Sequence, residues 1–152
     1  MNEAITITKC VYGGDGMGRL ADGRAVFVPF TLPGEEVLVE IVEDTRNFAR
    51  GRVLQLLTPS SRRVPAPCPH FGECGGCHYQ HASYPTQLAL KLEMLADQLA
   101  RLGGFSSLPI SGITPSPKIW NYRNHVQFHL NALGQPGYMD ISGTQVVPIS
   151  QC

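Results

Sequence analysis

Arg19-Leu20-Ala21-Asp22-Gly23-Arg24-Ala25-Val26-Phe27-Val28 is the stretch whose reading sets the fold class. Asp-Gly supplies the positive φ angles of a two-residue hairpin turn, so the chain is expected to reverse at Asp22-Gly23 and pair the runs on either side. Working outward, Ala4 to Tyr12 is rich in Ile, Thr and Val, and Glu36 to Val42 and Phe48 to Leu56 are further strand candidates. Pro33-Gly34 and Asp44-Thr45-Arg46-Asn47 mark the turns between them. Four or five short strands before Leu57 suggest a small barrel of the OB type, which closes its edges on itself.

Composition agrees with short strands. The 152 residues carry 12 Lys plus Arg against 12 Asp plus Glu, 43% hydrophobic residues, 16 Gly and 12 Pro, and only 16% charged residues. That balance argues against a helical bundle and against charge-driven disorder. No run of apolar residues is long enough to span a bilayer, and the N-terminus lacks the basic start and apolar core of a secretory signal. A cytoplasmic protein with no membrane partner is therefore expected, and its five cysteines read as metal ligands or buried thiols before disulfides.

Gly13-Gly14-Asp15-Gly16-Met17-Gly18-Arg19 invites a phosphate-binding reading that fails on detail. Arg19 and Leu20 stand where a Walker loop needs Lys and a hydroxyl, and a hairpin follows where a dinucleotide fingerprint needs a helix. The segment is expected to be a turn between two barrel strands.

Pro59, Pro65, Pro67 and Pro69 interrupt the chain, so 58–67 reads as a linker between a first unit, 1–57, and a second, 68–152. One helix follows, with Ser83 as its cap, Pro85 in its first turn and Gly103-Gly104 at its end. Leu88, Leu92, Leu95, Leu99 and Leu102 share one stripe, expected to be its packing face. From Trp120 the period changes to two. Val126, Phe128 and Leu130 alternate with Arg123, His125, Gln127, His129 and Asn131, as in a half-buried strand. A turn at Gly134-Gln135-Pro136-Gly137 and strands near Tyr138 to Ile141 and Thr144 to Ile149 should follow. The whole is mainly β with one α-helix, an α+β chain.

Cys68-Pro69-His70-Phe71-Gly72-Glu73-Cys74-Gly75-Gly76-Cys77 is the chemical centre of the sequence. Three thiolates at this spacing can face one metal centre, with Gly75 and Gly76 allowing a tight turn and leaving backbone N–H groups free for sulfur. A fourth ligand is needed: His70, His78 or His81 would complete a zinc site, and a sheet folding back could deliver Cys152. Soft thiolates suit zinc and iron-sulfur alike. Cys10, alone in a strand, is expected to be a buried structural thiol.

Zero net charge hides a local asymmetry, since Glu35, Glu36, Glu40, Glu43 and Asp44 precede Arg46, Arg50, Arg52, Arg62 and Arg63. On an extended strand Arg46, Phe48, Arg50 and Arg52 would share a face, an aromatic platform flanked by guanidinium groups that suits single-stranded RNA. The competing expectation is that the acidic strand pairs with these arginines across a hairpin.

The segment Cys68 to His81, the leucine-rich helix and Trp120-Asn121-Tyr122-Arg123-Asn124 together resemble the RNA (uracil-5-)methyltransferases, particularly those acting on 23S ribosomal RNA. The first 57 or so residues resemble their TRAM domain. The resemblance implies an OB-like TRAM barrel that touches RNA, an iron-sulfur loop, a helix, and the beginning of a central β-sheet domain with Arg123 in a basic position against RNA. It implies a [4Fe-4S] cluster on Cys68, Cys74, Cys77 and Cys152, a ribosomal or transfer RNA partner, and a monomer. In the family a cysteine adds to C6 of uracil and C5 then takes the methyl group of S-adenosylmethionine, bound by a Rossmann-like domain. No match to that domain or that cysteine occurs in these residues, so the 152-residue chain alone is expected to be inactive in methyl transfer. The alternative is a stand-alone RNA-binding module with structural zinc.

Overall fold

The computed structural model describes residues 2–152. Strands β1 (Asn2–Thr6), β2 (Lys9–Cys10), β3 (Gly16–Arg19), β4 (Ala25–Val28), β5 (Glu36–Asp44) and β6 (Phe48–Thr58) form a six-stranded sheet in the order β1-β5-β6-β4-β3-β2. All neighbours are antiparallel except β4 and β6, which run parallel. The expected single strand over Ala4 to Tyr12 is instead two, because the chain turns a corner at Ile7-Thr8. Ile7 exchanges hydrogen bonds with Glu35 and Gly34 beside β5, and Thr8 N–H donates to the Met17 carbonyl beside β3. One segment thus supplies both edges of the sheet, which curls round on itself as an OB-like barrel should. Ile5, Ile7, Val26, Val28, Val37, Val39 and Ala49 fill its interior.

The deciding hairpin is present with a different turn. Leu20 N–H bonds the Arg24 carbonyl and Gly23 N–H bonds the Leu20 carbonyl, so Ala21-Asp22-Gly23 is a three-residue loop. Only Gly23, at φ 88°, is left-handed. Asp22 escapes that conformation and uses its carboxylate on the Arg24 amide (2.9 Å) and Arg24 Nε (2.7 Å). Gly13 and Gly14 turn between β2 and β3 as expected, while Gly16 and Gly18 belong to β3 itself.

Past β6 the chain is fastened to the barrel. Arg63 places Nε 2.6 Å from Glu35 Oε1 and Nη2 2.6 Å from Oε2, and Glu35 is fully buried. Arg63 also donates to the Phe30 carbonyl at 2.8 Å, and Glu35 accepts the Leu32 and Ser60 amides. Burial pushes the Glu35 carboxyl up, but these donors outweigh it and hold the group below the usual carboxylate range.

Helix α1 (Tyr84–Arg101) starts after Ser83, with Pro85 in its first turn and Ser83 Oγ 2.8 Å from Thr86 Oγ1. Its packing face is not the leucine stripe. Thr86, Leu90 and Met94 are the buried positions, set against Cys10, Leu32, Ala82 and Tyr79, and Lys9 reaches Asp97 at 2.8 Å. At about 100° per residue, Leu88 and Leu92 lie roughly 160° round the helix from Leu90. Leu95 is 46% exposed and Leu102 82%. Periodicity shows that the leucines share a face; the barrel's own contacts, invisible to periodicity, choose the opposite one.

A second sheet contains β7 (His129–Leu130), β8 (Pro136–Met139) and β9 (Val146–Pro148), joined by turns at Asn131–Gln135 and Asp140–Gln145. The long half-buried strand expected after Trp120 is reduced to the exposed pair His129–Leu130. Val126 and Phe128 lie outside any strand and stay 40% and 47% exposed. Alternation buries a face only where another layer covers it, and no other element makes extensive contact with β7 among the described residues besides β8. The turn also falls earlier than Gly134–Gly137, leaving Pro136 at the edge of β8.

Arg63→Ala should leave Glu35 buried without its cation and lower stability by about 3–5 kcal/mol, read from the urea midpoint. Leu90→Ala should cost about 2–5 kcal/mol. Leu102→Ala should stay within about 0.5 kcal/mol, reversing the ranking that the leucine stripe implies.

Candidate functional site

The cysteine loop is built from tight turns. Phe71 N–H bonds the Cys68 carbonyl, Glu73 and Cys74 N–H both reach the His70 carbonyl, and Cys68 N–H bonds Gln80 Oε1 at 3.2 Å. The second sheet is stitched onto it: Gly75 N–H donates to Met139 O and Ile141 N–H to Glu73 O, both across a Cys74–Asp140 bridge. Glycine is required at 75, where a Cβ would stand 2.9 Å from the Asp140 carbonyl. The strand leaving β9 returns over the loop, with Ser150 N–H 3.5 Å from His70 Nε2.

That return brings Cys152 back to the loop. Burial pushes the Cys74 thiol up, the Gly76 N–H (3.4 Å from its Sγ) opposes this, and charge on Cys77, Cys68 and Cys152 raises it further. Burial likewise raises the Tyr138 phenol, with Cys152 next among the causes. Cys68, Cys77 and Cys152 are thus each within electrostatic reach of Cys74, and all four are free thiols. Among the described residues no three His, Cys, Asp or Glu side chains lie close enough to hold a single metal ion. Of the histidines weighed as a fourth ligand, His81 is buried against the Phe30 and Phe71 rings, and His78 is exposed beside Gly14. Cys10 lies apart, its Sγ 3.8 Å from the Thr31 carbonyl and its thiol pushed up to about 12, chiefly by burial.

On the barrel, the arginines of β6 pair with acidic side chains, and Arg50 also lies against aromatic rings. Arg52 Nη2 bonds Glu40 at 2.6 Å, and Arg50 approaches Asp15 at 3.3 Å and Glu43 at 3.4 Å. Yet the Arg50 guanidinium also lies 5.8 Å from the Phe48 ring centre and 5.9 Å from that of Phe27, and the two rings meet edge to face. Arg46 does not join this face. It sits exposed in the turn between β5 and β6, because β6 begins only at Phe48. Arg123 is exposed outside the barrel, over the Tyr122 ring.

Phe27 was not legible as a site residue. Alternation in β4 turns it away from buried Val26 and Val28, but only the parallel pairing of β4 with β6 sets it opposite Arg50. Beside it opens a cleft of about 950 Å³ between three parts of the chain. Phe27, Arg50 and Arg52 form the barrel wall, Gly75 and His78 come from the cysteine loop, and Asp140 to Gly143 from the second sheet.

Residues 4–54 match the family model described as the TRAM domain. The chain is 39% identical over 97% of its length to an RNA methyltransferase of Aquifex aeolicus, and 38% identical over 96% to one of Protochlamydia amoebophila. It spans about a third of the length of each of these relatives (34%). Among solved structures, the Pyrococcus abyssi tRNA (uracil-54, C5)-methyltransferase, in complex with S-adenosyl-L-homocysteine, aligns with 97% of this chain and 32% of its own. The TM-score is 0.59 and the identity 29%. No helix among the described residues is long and apolar enough to cross a membrane.

The junction of barrel and cysteine loop carries one titration of consequence. His81 is 3% exposed and neither ring nitrogen has a well-formed hydrogen bond. Burial, reinforced by Arg63, lowers it from 6.5 to about 4 against weaker pulls from Thr31 and Glu35. A histidine kept neutral on folding stabilises fully above its unfolded pKa and loses that contribution as protons bind the unfolded chain. Stability should therefore fall as pH drops from about 6.5 to about 4, by up to about 3 kcal/mol, and His81→Phe should flatten that slope in urea titrations taken at a series of pH values.

Proposed function

We propose, from the premise that this chain belongs with the RNA methyltransferases that carry a TRAM domain, that it is the RNA-handling part of an enzyme methylating C5 of a uracil in RNA with S-adenosylmethionine. The observation that carries this reading is the Phe27–Phe48–Arg50 cluster on the face of the TRAM barrel, an aromatic surface with a guanidinium already at stacking distance. Bases stack on such rings while the cations hold the backbone. Arg52 lies on the same face, and Arg46 and Arg123 are exposed cations that extend contact beyond it. Ribosomal RNA of the 23S class is the substrate we favour from the sequence motif, with transfer RNA, the substrate in the Pyrococcus enzyme's name, as the other. The setting is cytoplasmic and the protein a monomer.

Cys68, Cys74, Cys77 and Cys152 would hold the [4Fe-4S] cluster. The chemistry of the donor set supports this reading. Repulsion from charge on Cys77, Cys68 and Cys152 opposes ionisation of Cys74, and the Gly76 N–H points at its sulfur. An iron centre would neutralise that repulsion and bind the return strand to the loop. These 152 residues bind RNA and leave methyl transfer to the part of the enzyme that carries S-adenosylmethionine.

Anaerobically purified protein should contain iron and sulfide in equal amounts and absorb broadly in the visible, and Cys74→Ser and Cys152→Ser should each lose the iron while Cys10→Ser keeps it. Zinc in a colourless protein would replace the cluster by the structural-zinc alternative. RNA affinity should fall with salt at a slope of about −0.7 per phosphate contact, and Arg50→Ala should reduce that slope by about one contact.

A further inference from the structure

The cleft beside Phe27 has walls from the barrel, the cysteine loop and the turn after β8, and on its barrel wall a carboxylate and a guanidinium already pair. Asp15, from the turn between β2 and β3, is one-quarter exposed and lies 3.3 Å from Arg50 Nη1. Burial raises its carboxyl, while Arg50 and His78 pull it down, so a cation from β6 and an imidazole from the cysteine loop flank the same carboxylate. The half-exposed Arg50 in turn lies within 6 Å of two aromatic ring centres. A volume of about 950 Å³ falls within the range of small-ligand sites. Gly13, Gly72 and Gly143 line it with open space where a Cβ would stand, which leaves room for a sugar-phosphate chain to approach backbone.

We propose that this cleft is a nucleotide site assembled jointly by the barrel and the cysteine loop, in which one unpaired RNA base stacks on Phe27, its phosphate takes Arg50 from Asp15, and His78 closes the far side. The inference rests on the RNA-binding reading above and goes beyond it. The site's second wall belongs to the cysteine loop, so RNA affinity depends on a segment outside the TRAM barrel. Asp15 acts as a built-in competitor: its carboxylate holds the guanidinium until a stronger, doubly positioned anion displaces it. Charge complementarity decides the occupant's class. A cation over half-buried rings suits a π-faced base beside a phosphate, whereas an apolar peptide would leave Arg50 and Asp15 desolvated without partners.

The test is fluorescence anisotropy of a labelled, unstructured uridine-rich RNA with the whole chain, purified anaerobically. Phe27→Leu, which keeps bulk and loses the π face, should weaken binding on the order of tenfold, and Phe27→Tyr should restore it. His78→Ala should weaken it a few-fold, and Asp15→Asn should tighten it a few-fold, with the gain largest at low salt. Circular dichroism confirms that each variant folds. Wild-type binding left unchanged by the Phe27, His78 and Asp15 substitutions would overturn the cleft while leaving the RNA-binding reading intact. No binding by the wild-type chain would overturn both.

Discussion

The buried pair of Glu35 and Arg63 is the constraint that the remaining architecture depends on. Glu35 has no contact with solvent, and each of its carboxylate oxygens receives two donors: Arg63 Nε and the Ser60 amide on one, Arg63 Nη2 and the Leu32 amide on the other. A buried carboxylate is tolerated only when so completely paired. Because its partners come from before β5 and after β6, the pair fixes the chain at the point where it leaves the barrel. Arg63 then extends the tie to the Phe30 carbonyl, and Phe30 holds a left-handed backbone at φ 61°, which a bulky side chain adopts only when its surroundings enforce it. The ring so placed meets Phe71 of the cysteine loop edge to face at 4.9 Å.

From that junction the positions of the other parts follow. Val64 N–H bonds the His81 carbonyl, and the Arg63–Ala82 bridge leads the chain into α1. Thr86, Leu90 and Met94 are then the buried side chains of the helix, and the leucines on its other side are left half-buried or exposed. The prolines of 58–67 indicate irregular backbone, and irregular it is, but its side chains and amides reach the barrel core. A proline-rich connection therefore need not be a loose one.

What was legible and what was not divides along range. Strand identities in the barrel, the helix with Pro85 near its start, and the glycine turn at 13–14 follow from residues a few positions apart. The split of the first strand, the side on which α1 packs and the company of Phe27 depend on which elements meet in space. Alternation after Trp120 failed for the same reason: Val126, Phe128 and Leu130 have a strand's pattern but no layer to bury them among the described residues. The cysteines were the exception. Their spacing over 68–77 is local, yet Cys152 was placed with them as one open alternative and then through a family resemblance, and it is the second sheet's hydrogen bonds to Gly75 and Glu73 that carry the chain back toward them.

The arginines of β6 show why two readings of a charged strand need not compete. Cross-strand pairing with Glu40 and Glu43 and display toward RNA were alternatives only while each guanidinium was credited with one partner. Arg50 has two kinds at once: carboxylates at 3.3 and 3.4 Å, and two aromatic ring centres within 6 Å. Exposed ion pairs of that length are worth only about 0–1 kcal/mol. They hold the side chain in place without committing it, since a phosphate displacing them sacrifices little. Weak acidic partners around such an arginine keep the cation oriented over the rings, which on the proposed RNA-binding role would reduce the conformational entropy lost on binding.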